Sequence, residues 1–137
     1  DPSPLRGLIE KSGVVYLQEF IESTAPRPRD IRAFVVDGHV AGAIFRVAPA
    51  GSWISNLARG GAPERCPTTS EIEDLAVRAA SAVGAVYCGV DLIETSSGLA
   101  VLEVNGTPSG WGLHQAWGID VGELIAGAVL RLAGGSG

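Results

Sequence analysis

An α+β fold, with a mostly antiparallel sheet and two main helices packed on it, is predicted by three features of this 137-residue chain. Asp37-Gly38 stands between two apolar runs, which is a strong hairpin signal. Ser96-Ser97-Gly98 stands between two more. The helical periodicities follow the hairpins instead of alternating with single strands, which argues against a Rossmann βαβ series.

The elements follow in order. Residues 1–12, opening Asp1-Pro2-Ser3-Pro4, read as a linker or boundary segment. Residues 13–133 read as one compact unit and 134–137 as a flexible Gly-Gly-Ser-Gly tail. Residues 14–21 are apolar and β-branched, a strand candidate. Residues 23–29 carry Pro26 and Pro28 and read as loop. Residues 31–36 and 39–46 form the first hairpin. Residues 48–67, rich in Gly, Ala, Pro, Ser and Asn, make a long irregular stretch of the kind that carries function. Residues 68–83 read as a helix. Thr68 with Glu71 makes a capping box, and Ile72, Leu75, Ala76, Ala79 and Val83 share one face. Gly84 suits the position just past its end. Strands at 86–94 and 99–105, a Gly/Trp/Pro loop at 106–118, and a helix at 120–132 led by Asp120 and Glu123 complete the chain.

Composition bounds the partners. Hydrophobic residues make up 46% and charged residues 18%, enough to bury a core. The net charge of −5 and the absence of a Lys/Arg run disfavour nucleic acid. No apolar run is long enough for a membrane span, so no membrane partner is expected. No secretory signal opens the chain. Cys66 and Cys88 lack C-x-x-C spacing and read as free thiols, so a cytoplasmic setting is expected, with a disulfide the weaker reading. Lys11 is the only lysine and no Met begins the chain, which suggests part of a longer protein.

The sharpest chemistry lies in Gly89-Val90-Asp91-Leu92-Ile93 and Leu102-Glu103-Val104-Asn105. A three-residue loop at Ser96-Ser97-Gly98 pairs Thr95 with Leu99. Counting back from that pair sets Asp91 opposite Glu103, with Asn105 on the same face. Facing carboxylates repel, and a hard divalent cation that prefers oxygen ligands would offset the cost. The alternative is that both carboxylates point to solvent on an edge face.

These residues carry a resemblance. Leu17-Gln18-Glu19-Phe20-Ile21, the run from Arg29 to Val36, Ser55-Asn56-Leu57-Ala58-Arg59-Gly60-Gly61, Gly89-Val90-Asp91 and Glu103-Val104-Asn105 resemble, in order and spacing, the C-terminal part of RimK-like ATP-grasp ligases. The resemblance implies an ATP-grasp C-terminal subdomain. It also implies ATP- and Mg²⁺-dependent joining of a carboxylate to an amine through an acyl phosphate, with Mn²⁺ as a substitute cation. Glu19 and Phe20 would sit at the adenine hinge, Asp30 at or beside the ribose, and Asn56 at the phosphates. Asp91, Glu103 and Asn105 would hold the metal. Of Arg32 and Arg46, Arg46 is the preferred phosphate or acyl-phosphate contact, and Arg59 would take the incoming amino acid's carboxylate. Otherwise each arginine is a solvated surface charge.

The implied partners are ATP, glutamate, a carboxylate acceptor on a coenzyme or protein, and a missing N-terminal part of the same protein. A homo-oligomer is compatible. The chain departs from the pattern in two places: no phosphate lysine matches, because Lys11 lies too near the hinge, and Ile54 stands where a basic residue often does. Trp53-Ile54-Ser55-Asn56 with Ala58-Arg59-Gly60-Gly61 also resembles the amino-acid-carrier ligases of lysine and arginine biosynthesis, but the loop Gly106-Thr107-Pro108-Ser109-Gly110-Trp111-Gly112-Leu113 looks closer to the branch that adds glutamate to a pterin-type coenzyme. In that reading Trp111 or Trp117 packs on the acceptor and His114 lies nearby; otherwise all three are ordinary packing or surface residues. A non-catalytic nucleotide-binding or scaffolding module is the competing function.

Overall fold

The computed structural model describes residues 3–55 and 60–134. Among them a five-stranded, wholly antiparallel sheet runs in the order β3-β2-β1-β4-β5. Its strands are β1 (Arg29–Val36), β2 (His39–Val47), β3 (Ala62–Cys66), β4 (Tyr87–Thr95) and β5 (Gly98–Asn105). Four helices accompany it: α1 (Ser3–Ser12), α2 (Ser70–Ala82), α3 (Trp111–Trp117) and α4 (Val121–Gly134). No helix among the described residues is long and apolar enough to cross a membrane.

Strand alternation divides the core in two. Ile31, Ala33 and Val35 of β1, with Ala43, Val90 and Leu92, meet Ile72, Ala76 and Ala80 of α2 on one face. Phe34, Val36 and Ile44 meet Leu113 of α3 and Val121 and Ala128 of α4 on the other. The α3–α4 layer covers only part of that second face. The strand ends that carry Asp30, Arg46 and Asp91 line an open cleft.

Several expectations are corrected. Residues 3–12, read as part of a linker or boundary segment, form a helix: a proline near the start of a helix removes an N–H that has no intrahelical partner anyway. Residues 14–21 form no strand, and Val14, Tyr16 and Leu17 are exposed. Within the stretch read as irregular, residues 62–66 pair with β2 as β3, and within the 106–118 loop lies α3. The α2 cap is Thr69, not Thr68, and its hydroxyl accepts from the Ile72 amide at 3.3 Å. Glu71 does not close a capping box with Thr68; its Oε1 accepts from the Leu99 amide at 2.9 Å and ties α2 to β5. Thr69→Ala is expected to cost about 1 kcal/mol in chemical denaturation, whereas Thr68→Ala should be near neutral.

The acidic hairpin reaches its predicted pairing by a different route. Thr95 pairs with Gly98, not Leu99, so the turn has two residues, and Gly98 takes φ 109°. The register then shifts between Asp91 and Leu92, leaving Leu102 as the extra residue of a bulge. The shift restores Asp91 opposite Glu103 and Gly89 opposite Asn105.

Candidate active site

Asp30 and Arg32 alternate to the same face of β1. Asp30 pairs with Arg46 on β2, Arg32 with Asp91 on β4, and Asp91 with Glu103 on β5. Five charged side chains therefore share one end of one face. Arg32 grips Asp91 through both edges of its fork, Nε to Oδ1 at 2.6 Å and Nη2 to Oδ2 at 2.7 Å. Arg46 grips Asp30 in the same way, at 2.6 and 2.8 Å, and its Nη2 also donates to Asp91 Oδ2 at 2.7 Å. The Ser55 hydroxyl donates to Asp30 Oδ2 at 2.5 Å. Such charge-assisted, bidentate bonds are the strong class of protein hydrogen bond.

Asp91 is only 2% exposed, so its charge needs compensation from nearby. Beside the cation expected from the sequence, two guanidinium groups from the neighbouring strands serve Asp91. Glu103 is different. Its side chain is 63% exposed, and the nearest Arg32 nitrogen stands 3.9 Å away. A hydrogen bond shared with the Asp91 carboxyl, then partial burial and the Asp91 charge, hold the Glu103 pKa above its ordinary value, with Arg32 and Arg46 opposing. Burial works against the Arg46 charge, but Asp30 and Asp91 outweigh it and raise its pKa.

The donor set fits a hard cation. Two guanidinium charges face three carboxylates, leaving one negative charge in excess. Among the described residues no cluster of three Asp, Glu, His or Cys side chains could hold a metal. The nearby oxygens are those of Glu103, those of Asp91, which already accept from Arg32 and Arg46, and the Asn105 amide, whose Oδ1 also accepts from the Thr107 amide at 3.0 Å. An incomplete oxygen set of this kind suits Mg²⁺, which takes one or two carboxylates and completes its shell with water and substrate phosphate.

The face opens into a cleft of about 660 Å³, bounded by Glu19 and Phe20 on one side and by Asp30, Arg46, Asp91 and Glu103 on the floor. Phe20 and Trp53, 75% and 72% exposed, meet edge to face at the cleft with ring centroids 6.1 Å apart. Asn56 and Arg59 lie outside the described residues. Three residues that sequence reasoning left without a role enter the site: Ser55, Trp53, and Leu102 from the bulge. Ser55 and Leu102 stood within the segments singled out from the sequence, and Trp53 left the signal of a large aromatic in a Gly-rich stretch.

Other candidates fall away from the cleft lining. Trp117 donates from Nε1 to the Ala43 carbonyl at 2.7 Å and carries the Arg65 guanidinium over its ring. Trp111 and His114 are exposed on α3. Cys66 and Cys88 are free and buried. Burial pushes the Cys66 thiol up to about 11 and raises Cys88 as well. Both thiols are expected to resist a thiol reagent at pH 8 and to react once guanidinium unfolds the chain; rapid labelling of the native protein would contradict the packing.

Gly89 shows how tightly the ion pairs are held. A Cβ there would lie 3.0 Å from the Pro108 Cβ and 3.3 Å from the Arg32 Cδ and Nε. Tyr87 pins the same loop by donating to the Pro108 carbonyl at 2.7 Å. Gly89→Ala is expected to cost about 1–3 kcal/mol through overpacking, read as a lower denaturation midpoint. It should also displace Arg32 from Asp91.

A five-stranded antiparallel sheet with helices on both faces, and charged side chains clustered at one end of one face, is a fold this chain shares with ATP-grasp ligases. Solved structures agree. The ATP-grasp ligase PsnB, complexed with a phosphomimetic variant of its minimal precursor, Mg and ADP, matches 96% of this chain and 50% of its own, with TM-score 0.62 and 21% identity. The macrocyclase MdnB of Microcystis aeruginosa matches 92% of this chain and 44% of its own at TM-score 0.57 and 19% identity. Residues 5–129 match the RimK-like ATP-grasp domain, and the chain belongs to that family.

Among similar sequences, tetrahydromethanopterin:alpha-L-glutamate ligase of Methanosarcina acetivorans is 46% identical over 88% of this chain and 42% of its own length. The ligase of the same name from Methanocaldococcus jannaschii is 43% identical over 89% and 42%. A probable alpha-L-glutamate ligase of Stenotrophomonas maltophilia is 39% identical over 95% and 45%. The chain thus spans under half the length of these relatives.

Proposed function

We propose that this chain is the C-terminal part of a longer ATP- and Mg²⁺-dependent carboxylate–amine ligase that adds L-glutamate to a carboxylate-bearing coenzyme. The observation that carries this reading is the Asp91–Glu103 pair, flanked by Arg32, Arg46 and Asn105, on the floor of a cleft walled by Glu19 and Phe20. The methanogen relatives favour a pterin-type acceptor over a protein.

In this reading the cleft holds ATP with its base against Glu19 and Phe20. Asp91, Glu103 and Asn105 would hold Mg²⁺, which when bound neutralises phosphate charge. Arg46 stabilises the charge of the transferring phosphoryl group as the acceptor carboxylate becomes an acyl phosphate. Asn56 contacts the phosphates, and Arg59 orients glutamate through its carboxylate so that the amine meets the acyl carbon. Arg32 and Arg46 hold the Asp91 carboxyl in place from two neighbouring strands. A cytoplasmic location and self-association are part of the same reading.

ADP release by the full-length protein should require Mg²⁺, glutamate and an acceptor carboxylate together. Release that continues at the same rate without glutamate would contradict the proposal.

A further inference from the structure

Tyr87, Gly89 and Asp91 alternate to one face of β4, the face that carries the charged floor of the cleft. Tyr87, the first residue of β4, packs against the Phe34 and Val36 core. The chain leaves β5 at Asn105, opposite Gly89, and turns back over that row. Gly89 leaves the room for it: Pro108 is buried there, its Cβ 3.0 Å from where a Cβ on Gly89 would stand. The Tyr87 hydroxyl donates to the Pro108 carbonyl at 2.7 Å and closes the turn onto the sheet. Inside the turn the Thr107 amide donates to Asn105 Oδ1 at 3.0 Å, which sets the direction of the Asn105 side chain. Asn105 is thus held twice, its backbone by pairing with Gly89 and its amide by a turn that Tyr87 anchors.

We propose that Tyr87 is a positioning residue for the cation site: through the Pro108 carbonyl it holds the turn from Asn105 to Pro108 on Gly89, and so keeps the Asn105 amide oxygen where a cation beside Glu103 can take it. The proposal rests on the ligase reading and its cation site. A partner one bond behind a metal-binding group commonly governs affinity by about 10- to 100-fold. Tyr87 acts through a backbone turn, so its effect belongs at the low end of that range.

The test uses the full-length protein with Mn²⁺ as the probe, its dissociation constant read from the Mn²⁺ paramagnetic resonance signal at saturating ADP. Tyr87→Phe keeps the ring and removes only the hydroxyl. It is expected to weaken Mn²⁺ binding about tenfold, while ADP binding measured by calorimetry without a divalent cation stays within about twofold. In an Asn105→Ala background the same change should add less than about twofold, because its effect runs through that amide. Thr69→Ala, a stability loss placed at the start of α2, should leave Mn²⁺ affinity unchanged, which separates positioning from general loosening.

Mn²⁺ affinity within about twofold of wild type in Tyr87→Phe, or fully additive losses with Asn105→Ala, would overturn the proposal. Should Tyr87→Phe fail to fold, wild-type crystals with ADP and Mn²⁺ decide. The Tyr87–Pro108 bond kept and the Asn105 amide oxygen facing the metal supports the proposal; the amide oxygen turned away overturns it. A wild type that takes up no Mn²⁺ beside ADP overturns the cation-site reading and this proposal together. A wild type that takes it up, with Tyr87→Phe indistinguishable from it, overturns this proposal alone.

Discussion

Replacing Asp91 with Ala is expected to destabilise the fold by about 3–5 kcal/mol, because breaking a buried ion pair leaves uncompensated charge behind. Arg32 loses both of its short bonds, and Arg46 loses one of three. Arg46 keeps Asp30; Arg32 keeps only the distant Glu103. For a domain of this size the loss corresponds to a melting temperature lower by on the order of 10 °C. Asp91→Asn should lose less, since an amide oxygen still accepts from one guanidinium. A melting temperature within about 2 °C of wild type for the Ala variant would mean that the ion-pair lattice does not hold the sheet, whatever its role in chemistry.

Glu103 separates chemistry from stability. Its side chain is largely exposed and makes no short ion pair. Glu103→Gln is therefore expected to leave the melting temperature unchanged, within about 2 °C, while removing a charge from the proposed cation site. Turnover measured as ADP release should fall on the order of 100-fold or more, with a matching loss of Mg²⁺ affinity. The opposite pattern, unchanged turnover with a lower melting temperature, would make Glu103 a structural partner of Asp91 only. The contrast between Asp91 and Glu103 is informative because one pair position carries a stabilising carboxylate and a largely chemical one.

Much of the fold was legible where local chemistry and tertiary demand agree. Asp37-Gly38 names its hairpin, and Asp37 adopts the positive φ of 51° that such a turn requires. The period of α2 is equally plain. What was not legible depended on partners. Residues 14–21 have strand composition, but among the described residues they have no strand to pair with. β3 reads Ala-Pro-Glu-Arg-Cys, without alternation, and exists because β2 offers it an edge. α3 lies between glycines, and its helix is held by Leu113 in the core and Trp117 on Ala43.

The site shows the same division. The Asp91–Glu103 pairing was readable by counting, although the loop length assumed for it was one residue too long and a bulge supplied the correction. The arginine partners were not readable in that way. Arg32 and Arg46 come from strands whose order in the sheet, β2-β1-β4, is not set by any sequence spacing. Their presence changes the meaning of the acidic pair: Asp91 is paired with two guanidinium groups within the fold, and Glu103 is left without a close one.

The central claim is that this face holds a divalent cation beside nucleotide. Mn²⁺ can stand in for Mg²⁺ as an anomalous scatterer in crystals of the full-length protein grown with ADP. The account predicts a manganese peak in contact with the Glu103 and Asp91 carboxylates and the ADP phosphates, with the Asn105 amide oxygen adjacent. Bound ADP with its manganese elsewhere, and Asp91 and Glu103 both free of it, would contradict the account.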